Sequence, residues 1–363
     1  MTVVILFILF GITGCGVLYQ SGFGKNPKRE DLDRMKQSPH YADGKFRNLH
    51  DTPQLTGDDG FFRIVMRNFF TKKPGTKPKG EIPAIKTDLL NLNHDEDVLV
   101  WVGHSSCFLQ IAGKRILIDP VFSKYASPVP FYNRAFKGTN IYKPEDIPEI
   151  DYLIITHDHW DHLDYPTVKA LKPKIAKIIC PLGIGSHFKY WKFDRHQIFE
   201  MDWYDHIVPD SGFTVYCFPA RHFSGRSLSP NKTLWASFLI QTPEMNIYIS
   251  GDSGYDTHFA EIGKQFPEID LAILENGQYD KNWRYIHLMP EEMLQVAQDL
   301  HAKYVLPVHS AKFKLANHPW KEPLSKVTGL QNNSTVILTP LIGEKVNLTD
   351  SIRPFKQWWV EVE

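Results

Sequence analysis

The sequence predicts an α/β fold of sheets covered by helices, and three observations lead to it. From Asp97 onward, short β-branched or alternating runs follow one another, "DVLVWVG", "SCFLQIA" and "KRILIDP", divided by Gly and Asp-Pro breaks. Later apolar strands alternate with helical stretches, as the amphipathic "MPEEMLQVAQDLHA" with Pro290 in its first turn shows. Strands first, with helices dispersed between later strands, is the order that helix-covered sheets produce. At 363 residues and 42% hydrophobic, the chain has enough apolar material for a sizeable core.

The elements follow in order. Val3–Gly14 is apolar but too short to cross a bilayer of ~30 Å as a helix. It has the length of a signal-peptide core, so residues 1–15 are expected to be a signal peptide. Its end, "ITGC", resembles the lipobox of bacterial lipoproteins. That resemblance implies cleavage before Cys15, lipidation of Cys15, and a place in the bacterial cell envelope facing the periplasm. Residues 16–90 read as an extension. It is polar with little core to about residue 55, then carries a short amphipathic helix at Asp59–Phe70 and a Lys/Pro/Gly-rich loop. Residues 91–363 form the main domain, with further strands at "YLIIT", "IAKIIC", "FTVYCFP", "LWASFLIQT", "MNIYISGD", "LAILE" and "KYVLPVH". Cys107, Cys180 and Cys217 have neither a disulfide nor a metal spacing and read as small buried residues. Lys+Arg and Asp+Glu balance at 41 each, which argues against a nucleic-acid partner.

The chemistry concentrates in "THDHWDHLD", immediately after the strand "YLII". An extended segment would put His157, His159 and Asp161 on one side, and a turn would bring His162 round. Imidazole nitrogens and carboxylate oxygens are ligand types for borderline divalent metals. A dry pocket of unpaired His and Asp is costly without a cation. Six positions cannot enclose two metals, so other strand ends must contribute. His222, Asp252 and His309 each follow an apolar strand, and Gly251 beside Asp252 marks a close backbone approach. His287 precedes a helix. His104 either supports the site or is a strand-end hydrogen-bonder, Asp119 either caps a turn or orients a metal-binding histidine, and Arg221 and Arg226 either meet a phosphate or lie on the surface.

"THDHWDH" resembles the H-x-H-x-D-H signature of the metallo-β-lactamase superfamily, and the order His222, Asp252, His309 is similar to its remaining ligand order. The resemblance covers roughly Asp97 to Pro340. It implies a four-layered αββα sandwich with two divalent ions, Zn²⁺ above all, at one edge. Carried over by position, His157, His159 and His222 hold one metal. Asp161, His162 and His309 hold the second, and Asp252 bridges. A hydroxide shared by the ions would act as nucleophile, oriented by Asp161. His287 would polarise the substrate or protonate the leaving group. "VGHSSCFLQIAGKRILIDPVFSKYASP", "PARHFSGR", "SGDSGYD" and "VHSAKFKLANHPW" look like the N-acyl-phosphatidylethanolamine phospholipase D-like branch. That implies a phosphodiesterase on phospholipids. The alternatives are a lactonase or phosphosugar hydrolase, and a non-catalytic metal- or lipid-binding lipoprotein.

Overall fold

The computed structural model describes residues 21–56, 74–128, 132–227, 229–330, 335–349 and 355–363. The apolar run at 3–14, Cys15 and the expected helix at Asp59–Phe70 lie outside the described residues.

A short helix α1 (Glu30–Met35) and a small hairpin, β1 (Tyr41–Ala42) and β2 (Lys45–Phe46), precede the sheets. The first sheet opens with antiparallel β3 (Val98–Gly103), β4 (Ser106–Ile111) and β5 (Lys114–Ile118). Then β6 (Ile150–Ile154) joins β5 in parallel. Helix α2 (Tyr165–Leu171) leads to β7 (Ile175–Pro181), and α3 (Gly185–Tyr190) to β8 (Ile198–Met201), both parallel. The second sheet repeats this plan. Antiparallel β9 (His206–Asp210), β10 (Phe213–Phe218), β11 (Ser237–Gln241) and β12 (Asn246–Ile249) come first. Helix α4 (His258–Gln265) then leads to β13 (Ile269–Glu275), α5 (Pro290–Asp299) to β14 (Ala302–Val308), and α6 (Glu322–Leu330) to β15 (Val336–Ile337), all parallel. Finally β16 (Lys345–Asn347) returns to pair with β3. Among the described residues the sheet orders are β16-β3-β4-β5-β6-β7-β8 and β15-β14-β13-β12-β11-β10-β9.

Side-chain alternation along the strands sorts the apolar residues into three layers of core. Leu99, Trp101, Cys107, Leu109, Tyr152 and Ile154 face Cys217, Phe238, Ile249, Ile273 and Leu306 between the sheets. The alternate set, Val100, Phe108, Leu153 and Ile178, packs under Val168, Leu171 and Phe188 of α2 and α3. On the other flank Leu239, Tyr248, Ala272 and Val305 pack under Ile262, Met293, Val296 and Val327 of α4, α5 and α6. Both faces of each sheet are therefore buried, which explains why strands such as "VLVWVG" are apolar at every position. The αββα sandwich expected from the sequence is the observed architecture. Cys107, Cys180 and Cys217 are buried free thiols.

The polar segment expected to have little core contributes two side chains among its described residues: Met35 and Phe46 enter the layer between the sheets. Single apolar residues spaced along a polar loop carry no periodic signal, so the burial was invisible in the pattern.

Candidate metal centre

The parallel strands of both sheets end on one edge, and the histidines and acids collect there. After β6 the chain runs through His157, Asp158 and His159 without regular secondary structure. His157 and His159 share a side, with His157 Nε2 3.0 Å from His159 Nδ1. Asp158 turns the other way and accepts from Thr233 Oγ1 at 2.9 Å and from the Gly225 N–H at 2.7 Å. A turn then begins at His159, whose carbonyl accepts from the N–H groups of His162 and Leu163. That turn carries Asp161 away from His157 and His159, which corrects the expectation that alternation alone would keep them on one side. Gly251 is required where β12 ends: its φ is +57°, and a Cβ would lie 2.9 Å from both the Ala236 carbonyl oxygen and Thr156 Cβ.

Two clusters carry the proposed ligands: His157, His159, His222 and Asp252 form one, and His104, Asp161, His162 and His309 the other, while a third group, Asp252, Glu275, His287 and His309, overlaps them; within each, ligand-type atoms lie within 4.8 Å of one another. Asp252 joins them. Its Oδ2 lies 3.8 Å from His157 Nε2 and 3.7 Å from His222 Nε2. Its Oδ1 lies 3.2 Å from His162 Nε2 and contacts His309 Nδ1. Asp161 Oδ2 is 3.6 Å from His162 Nε2 and 3.5 Å from His309 Nε2. All seven residues proposed from the sequence as ligands thus converge, within the two clusters that Asp252 links.

The electrostatics suit a cation. Burial and the neighbouring His162 push His157 well below the ordinary histidine range, and burial does the same to His222. Both rings are therefore neutral, the form that ligates a metal. Burial opposes ionisation of Asp252, but His162 and His309 outweigh it and hold its carboxyl well below the usual range. Burial also opposes the charged form of His162, yet Asp252, Asp161 and Asp119 outweigh it and raise that ring well above its usual value. His162 Nε2 and His309 Nε2 are fully buried and have no hydrogen-bond partner. Orphaned buried nitrogens beside two ionised carboxylates are what a divalent cation would satisfy, so the donor set fits the metals the fold implies.

Further residues hold these candidate ligands in place. Asp119 Oδ2 accepts from His162 Nδ1 at 2.8 Å and from Thr156 Oγ1 at 2.6 Å, while its Oδ1 accepts from the Thr156 N–H at 2.8 Å. His104 Nε2 lies 2.8 Å from Asp161 Oδ2. His222 Nδ1 donates to the Ile286 carbonyl at 2.8 Å, which leaves the lone pair on Nε2, 3.2 Å from His159 Nδ1. Asn48 brackets the His222 backbone: its Nδ2 donates to the His222 carbonyl at 2.8 Å, and its Oδ1 accepts from the His222 N–H at 3.1 Å. His104, Asp119 and His309 all have positive φ, at 55°, 40° and 64°. Each costs on the order of 1 kcal/mol or more for a non-glycine residue, and such strain collects at functional sites.

His287 stands beside both clusters, its ring centroid 5.1 Å from His222 and 5.3 Å from His309. Its Nδ1 is 3.0 Å from Glu275 Oε2. Glu275 is buried and accepts from the Leu288 N–H at 2.5 Å and the Ser253 N–H at 3.1 Å. Burial and the charge of Asp252 raise its carboxyl well above the usual range. Sequence reasoning missed Glu275, Asn48 and Asp158. The available signal for Glu275 was an acid closing the apolar run "LAILE"; nothing local marked Asn48.

Neither reading of Arg226 holds. It is 3% exposed, so it is not a surface residue. Its guanidinium donates to the carbonyls of Asp158 at 2.8 Å, Leu163 at 2.6 Å and Gly22 at 2.6 Å, which leaves it no role on a phosphate. It also lies 4.0 Å over Trp160, which packs edge-on against Phe23. Arg221 is likewise engaged, donating to Thr52 Oγ1, the Tyr255 carbonyl and the Asp51 carbonyl. Asp164 precedes α2 and accepts from the Ser123 N–H at 3.1 Å and from Thr167 Oγ1, and it belongs to none of the ligand groups.

The family described as beta-lactamase superfamily domain matches residues 114–310, more than half of the chain. The chain belongs to this superfamily. An uncharacterized protein of Mycobacterium tuberculosis is 35% identical over 89% of this chain and 88% of its own length. The N-acyl-phosphatidylethanolamine-hydrolyzing phospholipase D 1 of Caenorhabditis elegans is 28% identical over 79% of this chain and 85% of its own. Outer membrane protein RomA of Klebsiella pneumoniae is 61% identical over 29% of this chain and 80% of its own. Among solved structures, Igni18, a metallo hydrolase from Ignicoccus hospitalis, superposes with a TM-score of 0.55 at 20% identity, covering 72% of this chain and 99% of that one. The protein is therefore a metal-dependent hydrolase of the metallo-β-lactamase fold. Among the described residues no helix is long and apolar enough to cross a membrane.

Proposed function

We propose that the protein is a phosphodiesterase that hydrolyses N-acyl-phosphatidylethanolamine or a similar phospholipid with two divalent metal ions, Zn²⁺ in the first place. One observation carries the two-metal reading: Asp252 turns one carboxylate oxygen to each histidine cluster. The likeness to the C. elegans phospholipase supports the substrate class. His157, His159 and His222 would hold one ion, Asp161, His162 and His309 the other, with Asp252 between them. Divalent ions bound there supply Lewis-acid polarisation of the phosphoryl oxygens and lower the pKa of a water.

The chain's own residues do the rest. His104 fixes the Asp161 carboxylate, and Asp119 fixes the His162 ring, so neither ligand reorganises when substrate binds. In the hydrolysis a water oxygen forms a new bond to phosphorus, the bond from phosphorus to the ethanolamine oxygen breaks, and that oxygen takes a proton. His287, oriented by Glu275, is the residue we assign to that proton. Membrane placement rests on the "ITGC" run and on the likeness to an outer membrane protein. We assign Cys15 as the lipid anchor, with the apolar segment ahead of it as its signal peptide and the catalytic domain facing the periplasm.

A substrate panel tests the reading: bis-nitrophenyl phosphate, N-acyl-phosphatidylethanolamine, a phosphosugar and a lactone, each with metal-loaded and chelated protein. The diesters should be turned over fastest, and only by loaded protein. Faster lactone or phosphosugar hydrolysis would replace the substrate class. A loaded protein inert on all four would leave a non-catalytic metal-binding lipoprotein.

A further inference from the structure

Beyond the metal centre, a cavity of about 200 Å³ opens between two short segments, "KPKG" (residues 77–80) and "RAFK" (residues 134–137). Lys77, Lys79, Arg134 and Lys137 line it, and among the described residues no acidic side chain does. Among the described residues none of the four forms an ion pair. Glu81 and Glu363 are the neighbouring acids, and against them four unpaired cations lining one cavity are still a local excess that attracts an anion.

The walls are fixed by backbone. The Ile82 N–H donates to the Lys137 carbonyl at 2.9 Å, and the Lys79 and Gly80 N–H groups donate to the Glu363 carbonyl at 2.7 and 3.2 Å. Gly138 lets the segments meet: its φ is +84°, and a Cβ there would lie 2.2 Å from the Ile82 carbonyl oxygen. Phe136 is the buried apolar wall of the cavity. It also lines a neighbouring small cavity with Gln278, Ala311 and Phe313, and Gln278 Nε2 donates to the His309 carbonyl at 3.3 Å. The Phe136 N–H donates to the Lys312 carbonyl at 2.8 Å. The basic cavity is thus tied through Phe136 to the loop that carries His309.

We propose that this cavity is a phosphate-binding pocket for the headgroup of an anionic phospholipid, which docks this rim of the protein on a bilayer. The inference rests on the phospholipid reading for its choice of occupant. All four cations are exposed rather than enclosed, so a single free phosphate would compete with bulk water for each. A bilayer surface presents many anionic headgroups at once and holds clustered Lys and Arg at about 1 kcal/mol each.

The test uses the full chain and an Arg134→Gln/Lys137→Gln variant, sedimented with phosphatidylcholine vesicles made with or without phosphatidylglycerol. The apolar run at residues 3–14 partitions alike into both, so the difference between the two compositions is the readout. Wild type should prefer the anionic vesicles, and the preference should fall with salt. The variant should lose on the order of 25-fold of that preference, at about fivefold per charge. Turnover of soluble bis-nitrophenyl phosphate should not change, since neither residue is part of the metal centre. Equal binding of variant and wild type to anionic vesicles would overturn the proposal. So would displacement by inorganic phosphate with no preference for anionic vesicles, which would make the pocket a site for the free ion. Sedimentation needs no turnover, so failure of the diesterase reading in the substrate panel leaves this result intact, and the reverse also holds.

Discussion

Asp119→Asn is the perturbation with the sharpest expected outcome. The side chain is buried and accepts three hydrogen bonds, two on Oδ2 from His162 Nδ1 and Thr156 Oγ1, and one on Oδ1 from the Thr156 N–H. Asparagine has the same shape but only one acceptor oxygen. If its oxygen keeps the Thr156 N–H, its amide N–H faces His162 Nδ1. The ring must then accept there and carry its proton on Nε2, the atom that would ligate a metal. If the amide flips instead, the buried Thr156 N–H loses its partner at a cost of about 1–3 kcal/mol. Removing an orienting partner of a metal-bound histidine costs about 10–100-fold in metal affinity or activity. That range equals about 1.4–2.8 kcal/mol. The assay is competitive Zn²⁺ titration against a chromophoric chelator, with thermal unfolding of the metal-free protein alongside. One of two binding events should weaken by that factor while the other holds. Wild-type affinity at both sites, with unchanged stability, would refute the role assigned to Asp119.

The other predictions concern the remaining supports. Asn48→Ala removes both brackets from the His222 backbone, and about tenfold weaker metal binding at the first cluster is expected by the same titration. Lys312 is fully buried, donates to the Val121 carbonyl at 2.8 Å, and is pushed by burial from 10.5 down to about 7. Its unfolded form binds a proton between pH 7 and 10 that the folded form has lost, so stability should rise with pH across that window. The shift bounds the effect at about 5 kcal/mol, and the lost hydrogen bond offsets about 1 kcal/mol of the gain in Lys312→Met. Denaturant titrations should show Lys312→Met more stable at pH 7 and with a flatter slope; an equally steep slope would contradict the assignment. His287→Ala should lower kcat on the diester about 10²-fold or more while leaving metal content unchanged. Equal loss of metal and activity would make it a structural residue.

Much of this site was legible because its chemistry is local in sequence. "HDHWDH" places four ligand types within six positions, and His222, Asp252 and His309 each end an apolar strand. The long strands were legible too, because burial on both faces makes them continuously apolar. Edge strands such as β8 and β9 were not, since half-exposed edges carry mixed patterns. The turn that separates Asp161 from His159 depends on two main-chain hydrogen bonds that no side-chain pattern reveals. Asn48 lies 174 positions from His222, which it braces, and Arg226 serves carbonyls on the loop after β6 and on the N-terminal segment. Both are long-range contacts, invisible without the fold. The polar look of residues 21–56 hid their role for the same reason.

Metal content per chain, measured by elemental analysis on wild type and Asp252→Ala, tests the central claim most directly. Asp252 faces both clusters, so wild type should hold two divalent ions and the variant one or none, with diesterase activity lost in step. A wild-type chain that hydrolyses diesters without metal, or a variant that keeps both ions and full turnover, would contradict the account.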